Sequence, residues 1–334
     1  MNKPIIVIQG VEDLAEVPGI DALAEEAELR LVDDPQGIAE ALPGAQVLLG
    51  WDADARNLKL SFAASDRLRW IQWGAAGVDA ALFPALVESD VVVTNARGIF
   101  DRAMAEYTLG MILFFAKDFR RTLDLQSERK WLHRHTLRVA GTKALVIGTG
   151  SIGREIARLL KKTGIEVEGV GRRARAGDSD FSRVHAADDF DAALGEADWV
   201  VLVAPLTPQN RGFFDADRFA AMKRCARFFN LGRGALVDEP ALVEALAQGE
   251  IAGAGLDVFE GEPYDPTGPL WAMDNVIVSP HMSGEYHGFE RTLVDLFIDN
   301  FRRFVRGDPL VNTVDKRLGF VSSPADPPLG GARS

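Results

Sequence analysis

Cysteine is almost missing from this chain: among 334 residues, Cys225 is the one thiol. A single cysteine forms no intrachain disulfide, which fits a reducing cytoplasm. Cys225 follows Met222-Lys223-Arg224 near a helix end and reads as a packing residue rather than a nucleophile. Histidine is scarce as well, with five residues, and no Cys/His cluster has metal-ligand spacing; no metal is expected. Long apolar runs are also missing. The nearest, Tyr107 to Ala116, is about half of a bilayer span. The opening segment MNKPIIVIQG runs directly into a strand pattern and lacks the apolar stretch and cleavage site of a signal peptide. Positive charge is outnumbered, 37 Lys and Arg against 49 Asp and Glu for a net charge of −12. That balance disfavours nucleic acid and anionic membranes as partners. What is present is ordinary globular material, 47% hydrophobic and 26% charged, long enough for two domains with separate cores.

The order of elements predicts an α/β protein built twice. In the first hundred residues, Ile5 to Ile8, Val47 to Gly50, Trp70 to Trp73 and Val91 to Val93 read as strands, with helices over Asp21–Glu28 and Gly37–Leu42. A second set of strands falls at 144–148, 165–170, 199–203, 226–230, 253–257 and 276–278. Between the sets, Asp101 to Arg129 reads as one long helix, apolar on most faces and so buried between domains or against a partner subunit. A last amphipathic helix spans Gly288 to Arg306 and is placed to cross back to the first set. From Ser322 the chain is rich in Pro, Gly and Ala and reads as a loose extension.

The most informative segment is ALVIGTGSIG at 144–153. Ala144 to Ile147 suits a strand buried on both faces. Gly148 permits the tight turn out of it, Gly150 lets backbone approach a pyrophosphate, and Gly153 lets the next helix pack close. The amides at Ser151 and Ile152 then open a helix whose N-terminus suits phosphates. With a strand before, a helix after and a second strand following, the pattern marks a dinucleotide site. A site for NAD places Asp or Glu at the end of that second strand. Here Glu168 comes too early, the expected position is near Gly171, and Arg172, Arg173 and Arg175 follow. Arginines suit a 2′-phosphate, so NADP(H) is favoured, with NAD(H) as the alternative.

Four further landmarks sit where predicted strands end: Ala204-Pro205-Leu206-Thr207, then NLGRG at 230–234, DVFEGEP at 257–263 and SPHMSG at 279–284. In open α/β sheets such positions converge outside the carboxyl ends of the strands. Taken in order with GTGSIG, AAGVD at 75–79 and AEYTLGMIL at 105–113, they resemble the D-isomer-specific 2-hydroxyacid dehydrogenase family over nearly the whole chain. The arginine-bearing loop looks more similar to its glyoxylate/hydroxypyruvate reductase branch.

The resemblance implies two Rossmann-like or flavodoxin-like parallel-sheet domains with a cleft between them. Residues 1–100 with 287–320 would bind substrate, 101–286 would bind the dinucleotide, and 321–334 would be a tail. It implies that Arg233 binds the substrate carboxylate and carbonyl, that His281 is the general acid/base, and that Glu262 pairs with it. Asp257 would lie near the nicotinamide amide, Ala204 and Pro205 beside the cofactor, and Ala75, Ala76 and Gly77 would grip the carboxylate. Glutamate at 262 argues against the formate dehydrogenase branch, which carries glutamine there.

These residue types suit the chemistry. A 2-oxo acid is an anion with an adjacent carbonyl, which a guanidinium fork matches. Hydride arriving at the carbonyl carbon leaves charge on oxygen, and a histidine supplies the matching proton. A neighbouring carboxylate favours imidazolium and orients the ring. Of the other histidines, His133, His135 and His185 read as surface residues, and His287 could support His281. Glu260 reads as solvated. Trp51, Trp73 and Trp131 are candidates for the pocket rim, Trp131 because in some relatives a tryptophan after the long helix enters the partner's site. Tyr286-His287-Gly288-Phe289 departs from the family's usual small polar stretch. The expected partners are a small 2-oxo or 2-hydroxy acid and a second copy of the chain in a cytoplasmic homodimer. Two other readings stay open: a dinucleotide-sensing, corepressor-like interaction protein, and a D-3-phosphoglycerate dehydrogenase-like enzyme, which the lack of an appended regulatory domain disfavours.

Overall fold

Strands rich in Val, Ile and Leu that are apolar at every position, not every second one, need helices on both faces. The computed structural model, which describes residues 3–321, has that arrangement in two compact units. One comprises residues up to Ile99 with those from His287 onward; the other runs from Phe100 to Tyr286.

In the first unit, β1 (Ile5–Gln9), β2 (Glu28–Val32), β3 (Val47–Gly50), β4 (Trp70–Trp73) and β5 (Val92–Thr94) form a parallel sheet in the order β2-β1-β3-β4-β5. Strand order reverses between β1 and β3. The helix Phe289–Arg306 covers one face, because Val294, Phe297, Ile298 and Phe301 recur at helical spacing and join Ile6, Ile8, Val47, Leu49 and Trp70 in one core cluster. Phe297 stacks on Trp70 with ring centroids 5.2 Å apart. Asn300, fully buried, donates to the Gln72 side chain at 3.2 Å and accepts from the Val311 amide at 2.8 Å. Those bonds satisfy a polar group that would otherwise be costly to bury, and they tie the returning chain to β4.

The second unit contains β6 (Lys143–Ile147), β7 (Glu166–Gly171), β8 (Val184–Ala186), β9 (Trp199–Leu202), β10 (Arg227–Asn230), β11 (Gly253–Leu256) and β12 (Val276–Val278). They form a parallel sheet in the order β12-β11-β10-β9-β6-β7-β8, with the reversal at β6 and β9. The helix Asp101–Ala116 buries Met104, Ala105, Met111 and Ile112 within this unit, in one cluster with Val146, Val167 and Val201 of the sheet and Ile156 and Leu160 of the helix Ser151–Lys162.

Three expectations need correction. The stretch expected as one helix from Asp101 to Arg129 breaks at Asp118, which takes a left-handed conformation (φ 51°), and resumes as Phe119–Ser127. Its apolar run ends at Ala116, and beyond it Leu125 is the one buried residue of the second helix, too little to hold one axis. The helix expected over Asp21–Glu28 is a single 3-10 turn, Ile20–Leu23, followed by β2. Ile20 and Leu23 of the turn and Ala27 after it reach the core, and the free edge of β1 captures Glu28–Val32 by backbone pairing. Strand β8, absent from the sequence reading, pairs with the end of β7 in the same way. The tail expected from Ser322 lies outside the described residues. No described helix is long and apolar enough to cross a membrane.

Candidate active site

The glycine turn leaves β6 against the end of β9. At Gly148 (φ 114°) a Cβ would stand 2.7 Å from the Ala204 amide nitrogen, and at Gly153 it would stand 1.8 Å from the Gly148 carbonyl oxygen. Both positions therefore need glycine, one for its torsion and one for the contact between helix and strand. A Cβ at Gly150, by contrast, meets nothing within 4 Å. Gly150 caps the helix Ser151–Lys162, so open space lies in front of that helix's unpaired amides. This is the cradle a pyrophosphate fits. Ser151 and Ile152 are half-buried in its first turn, the Ser151 hydroxyl donating to Asp101 at 3.3 Å. The Ala204-Pro205 loop beside it is held by Asn210, which donates to the Pro205 carbonyl at 2.9 Å.

At the end of β7, Arg172 and Arg173 are exposed. A Cβ at Gly171 would stand 2.8 Å from the Thr149 hydroxyl oxygen, so a larger residue there would require the Thr149 side chain to move, and no acid stands at this position. Arg175 donates to Asp178 at 2.9 Å.

Beyond β10, β11 and β12 the chain builds a second cluster. Asn230, buried, donates to the Arg233 carbonyl at 3.1 Å and accepts from the Gly232 amide at 3.2 Å. These bonds fix the turn that presents Arg233, whose guanidinium also donates to the Gly232 carbonyl at 2.9 Å. The next residue is pressed against the neighbouring loop: a Cβ at Gly234 would lie 1.8 Å from the Phe259 carbonyl carbon. Glu262, in that loop, accepts from the Phe259 amide at 3.0 Å and from His281 Nδ1 at 2.8 Å. Burial pushes the Glu262 carboxyl up, but the His281 hydrogen bond, the Phe259 amide and the charge of Arg233 outweigh it and hold the pKa below the usual glutamate value. A carboxylate thus orients the imidazole through Nδ1, and a guanidinium acts on the same carboxylate.

His281 itself has a left-handed backbone (φ 53°), which costs a non-glycine residue about 1 kcal/mol or more. Asp257 holds it there. This residue is 1% exposed, and its backbone carbonyl accepts from the His281 amide at 2.8 Å. Its carboxylate accepts from the Ser279 hydroxyl at 2.7 Å, the Met282 amide at 3.0 Å and the Ser283 amide at 2.9 Å. Ser279 is also hydrogen-bonded to the Tyr107 hydroxyl, whose pKa burial raises. Sequence reasoning placed Asp257 by the cofactor and missed Ser279, Ser283 and Tyr107. The available signal was SPHMSG itself, since two serines flanking a histidine at a strand end is a turn in need of an acceptor.

The structure brings Arg233, Glu262, His281 and Asp257 together. Ala75, Ala76 and Gly77 lie in the first unit after β4, with the Ala75 carbonyl accepting from the Ala96 amide at 3.0 Å and the Ala76 carbonyl accepting from Asn95 Nδ2 at 2.6 Å. His133, His135 and His287 are exposed, as is Glu260. His185 is not a surface residue: its side chain is 11% exposed, in β8, with Nε2 2.6 Å from Glu168. Cys225 is exposed rather than packed. Trp73 cannot border a pocket, being 1% exposed in the first unit's core, whereas Trp51 is half-buried and Trp131 is fully exposed. No cluster of three or more metal-ligating side chains occurs among the described residues.

A glycine turn on a doubly wound parallel sheet, with an oriented histidine at the ends of the same strands, defines a dinucleotide-dependent oxidoreductase. Residues 109–283 match the family model "D-isomer specific 2-hydroxyacid dehydrogenase, NAD binding domain". Glyoxylate reductase of Korarchaeum cryptofilum is 30% identical over 328 residues, spanning 92% of this chain and 96% of the relative. Among solved structures, the NADPH-dependent glyoxylate/hydroxypyruvate reductase of Sinorhizobium meliloti, in complex with NADP and sulfate, superposes with a TM-score of 0.83 at 30% identity, covering 96% of this chain and all of that one. A D-isomer specific 2-hydroxyacid dehydrogenase of Xanthobacter autotrophicus, in complex with NADPH and MES, gives 0.82 at 31% identity over 96% of this chain and all of that one. The chain belongs to the D-isomer specific 2-hydroxyacid dehydrogenase family and is an oxidoreductase.

Proposed function

We propose that this protein reduces a small 2-oxo acid of the glyoxylate or hydroxypyruvate type to its D-2-hydroxy acid, with NADP(H) preferred over NAD(H). The carrying observation is the 2.8 Å bond between His281 Nδ1 and Glu262, with Arg233 acting on the same carboxylate. The dinucleotide supplies hydride to the carbonyl carbon. Arg233 holds the substrate's carboxylate and carbonyl oxygens, and the backbone of Ala75, Ala76 and Gly77 contacts the carboxylate. His281, whose Nδ1 is held by Glu262, turns Nε2 toward the carbonyl oxygen and gives it a proton. Gly148, Gly150, Ser151, Ile152 and Gly153 cradle the pyrophosphate, with Ala204 and Pro205 beside the cofactor and Asp257 near its nicotinamide amide.

The coenzyme preference rests on the end of β7, where Gly171 stands in place of an acid and Arg172 and Arg173 are exposed. Oxidation of NADPH and of NADH should be followed with glyoxylate, hydroxypyruvate, pyruvate, phenylpyruvate and a branched 2-oxo acid. Replacing Arg172 and Arg173 together with alanine should raise KM for NADPH about tenfold or more while barely moving that for NADH, since two charge-assisted phosphate contacts are lost. Equal effects on the two coenzymes would refute the preference, and no turnover with any acid would refute the reductase reading.

A homodimer is proposed on a separate observation. Phe119, Leu123, Trp131, Leu132 and Leu137 are all exposed, between 44% and 102%, within nineteen consecutive positions, 119–137. Such a concentration of apolar surface marks an interface. Sedimentation should give twice the chain mass, and a monomer at every concentration would refute it.

A further inference from the structure

The first unit's sheet reverses strand order between β1 and β3, and in open parallel sheets the crevice outside the carboxyl ends at such a reversal is where ligands sit. Two polar side chains meet there. Gln9 ends β1 and is 2% exposed. Its Nε2 donates to Asp52 Oδ1 at 2.9 Å and to the Asp54 carbonyl. Its Oε1 is buried with no hydrogen-bond partner among the described residues. Native proteins rarely leave such an atom unsatisfied. Asp52 follows β3 and reaches the end of β1 only because residue 10 is glycine: a Cβ there would stand 2.3 Å from Asp52 Cβ. Arg56, the nearby cation, is committed to Asp54 at 2.5 Å. Asp52 is an exposed residue whose partial desolvation raises its carboxyl's pKa above the ordinary aspartate value.

This cluster adjoins the loop proposed to hold the substrate carboxylate, and does so within one unit. The Gly74 amide donates to the Gly50 carbonyl at 2.9 Å, and a Cβ at Gly74 would lie 2.8 Å from the Trp51 carbonyl oxygen. Trp51, the neighbour of Asp52 in the chain, therefore lies directly against Gly74, the neighbour of Ala75. We propose that Asp52, backed by Gln9, is a specificity-determining residue that accepts a hydrogen bond from a hydroxyl on C3 of the substrate, selecting 3-hydroxy-2-oxo acids over unsubstituted and over phosphorylated ones. The exposed Asp52 carboxylate is an acceptor that calls for a donor, and Gln9 Nε2 holds it from behind. Two carboxylates with one arginine leave a surplus of negative charge, which repels a phosphoryl group in the same place.

The inference rests on the reductase reading, and its test separates the two. Values of kcat/KM with NADPH are measured for hydroxypyruvate, glyoxylate and 3-phosphohydroxypyruvate, using the full chain and its Asp52→Ala and Asp52→Asn variants, with melting curves as the folding control. The wild type should prefer hydroxypyruvate. Asp52→Ala should lower the hydroxypyruvate-to-glyoxylate ratio about 10- to 100-fold, the loss expected when an acceptor for a substrate hydroxyl is removed. Asp52→Asn keeps the shape and one acceptor oxygen but not the charge, and should raise the phosphohydroxypyruvate-to-hydroxypyruvate ratio about tenfold. If Asp52→Ala does not fold, the asparagine variant decides alone. Wild-type turnover with both ratios unmoved overturns the role of Asp52 while the reductase reading stands. A wild type inactive on every acid overturns both.

Discussion

Replacing His281 with alanine should lower kcat/KM for 2-oxo acid reduction by about 10²- to 10⁴-fold, the usual contribution of a positioned general acid. Dinucleotide affinity, measured by titration, should stay close to wild type, because the pyrophosphate cradle at Gly148–Gly153 is built from other elements. The effect is large because the ring's direction is set by Glu262 at 2.8 Å and the backbone's by Asp257, so no other histidine takes its place. Glu262→Gln should cost less, about tenfold, since glutamine still accepts from Nδ1 but no longer stabilises the charged ring. The two variants also differ in pH dependence. The folded-state pKa of Glu262 lies below its ordinary value, so the carboxylate's contribution is fully present above that ordinary value and is lost as pH falls through the depressed one. In the wild type this places an acid limb below the usual glutamate range, and Glu262→Gln should abolish that limb. A Glu262→Gln profile that overlays the wild type in height and shape would detach Glu262 from the reaction.

How much of this was legible beforehand follows from where the information lies. The central strands of the two sheets are runs such as VLLG and WVVL whose burial on two faces fixes their identity locally, and their ends carry the chemistry. The glycine turn, the NLGRG arginine and the SPHMSG histidine are therefore readable from the sequence. What escaped was non-local. β2 and β8 are edge strands with mixed composition, and they exist because a neighbouring strand offers unpaired backbone, which no window of sequence records. The break at Asp118 depends on where the second unit's core stops. His185 looked solvated in a polar stretch, yet β8 carries it onto Glu168 of the adjacent strand. Gln9 carried no signal at all, since its unpartnered oxygen is visible only once β1 and β3 are neighbours.

The second large effect is expected at a residue with no proton to give. Asp257→Ala would leave the Met282 and Ser283 amides without their acceptor, and the Ser279 hydroxyl with only a long 3.4 Å contact to the Leu256 carbonyl. Ser279 and Ser283 are buried, and each orphaned buried donor costs about 1–3 kcal/mol. Stability measured by denaturant should fall by about 3–5 kcal/mol, at the upper end of single-residue effects. Activity per folded molecule should fall too, by about 10²-fold, because the left-handed backbone at His281 loses the contacts that enforce it and a small misplacement of a catalytic group is enough. Asp257→Asn separates the causes. It keeps the volume and one acceptor oxygen but turns an NH₂ toward an amide donor, so it should retain more stability while still misplacing the histidine. The carboxylate already accepts three hydrogen bonds of the roughly four it can take, which leaves little for a nicotinamide amide. NADPH affinity should therefore change far less than turnover in both variants. A loss of NADPH affinity matching the loss of rate would instead make Asp257 a cofactor ligand first and a support for His281 second.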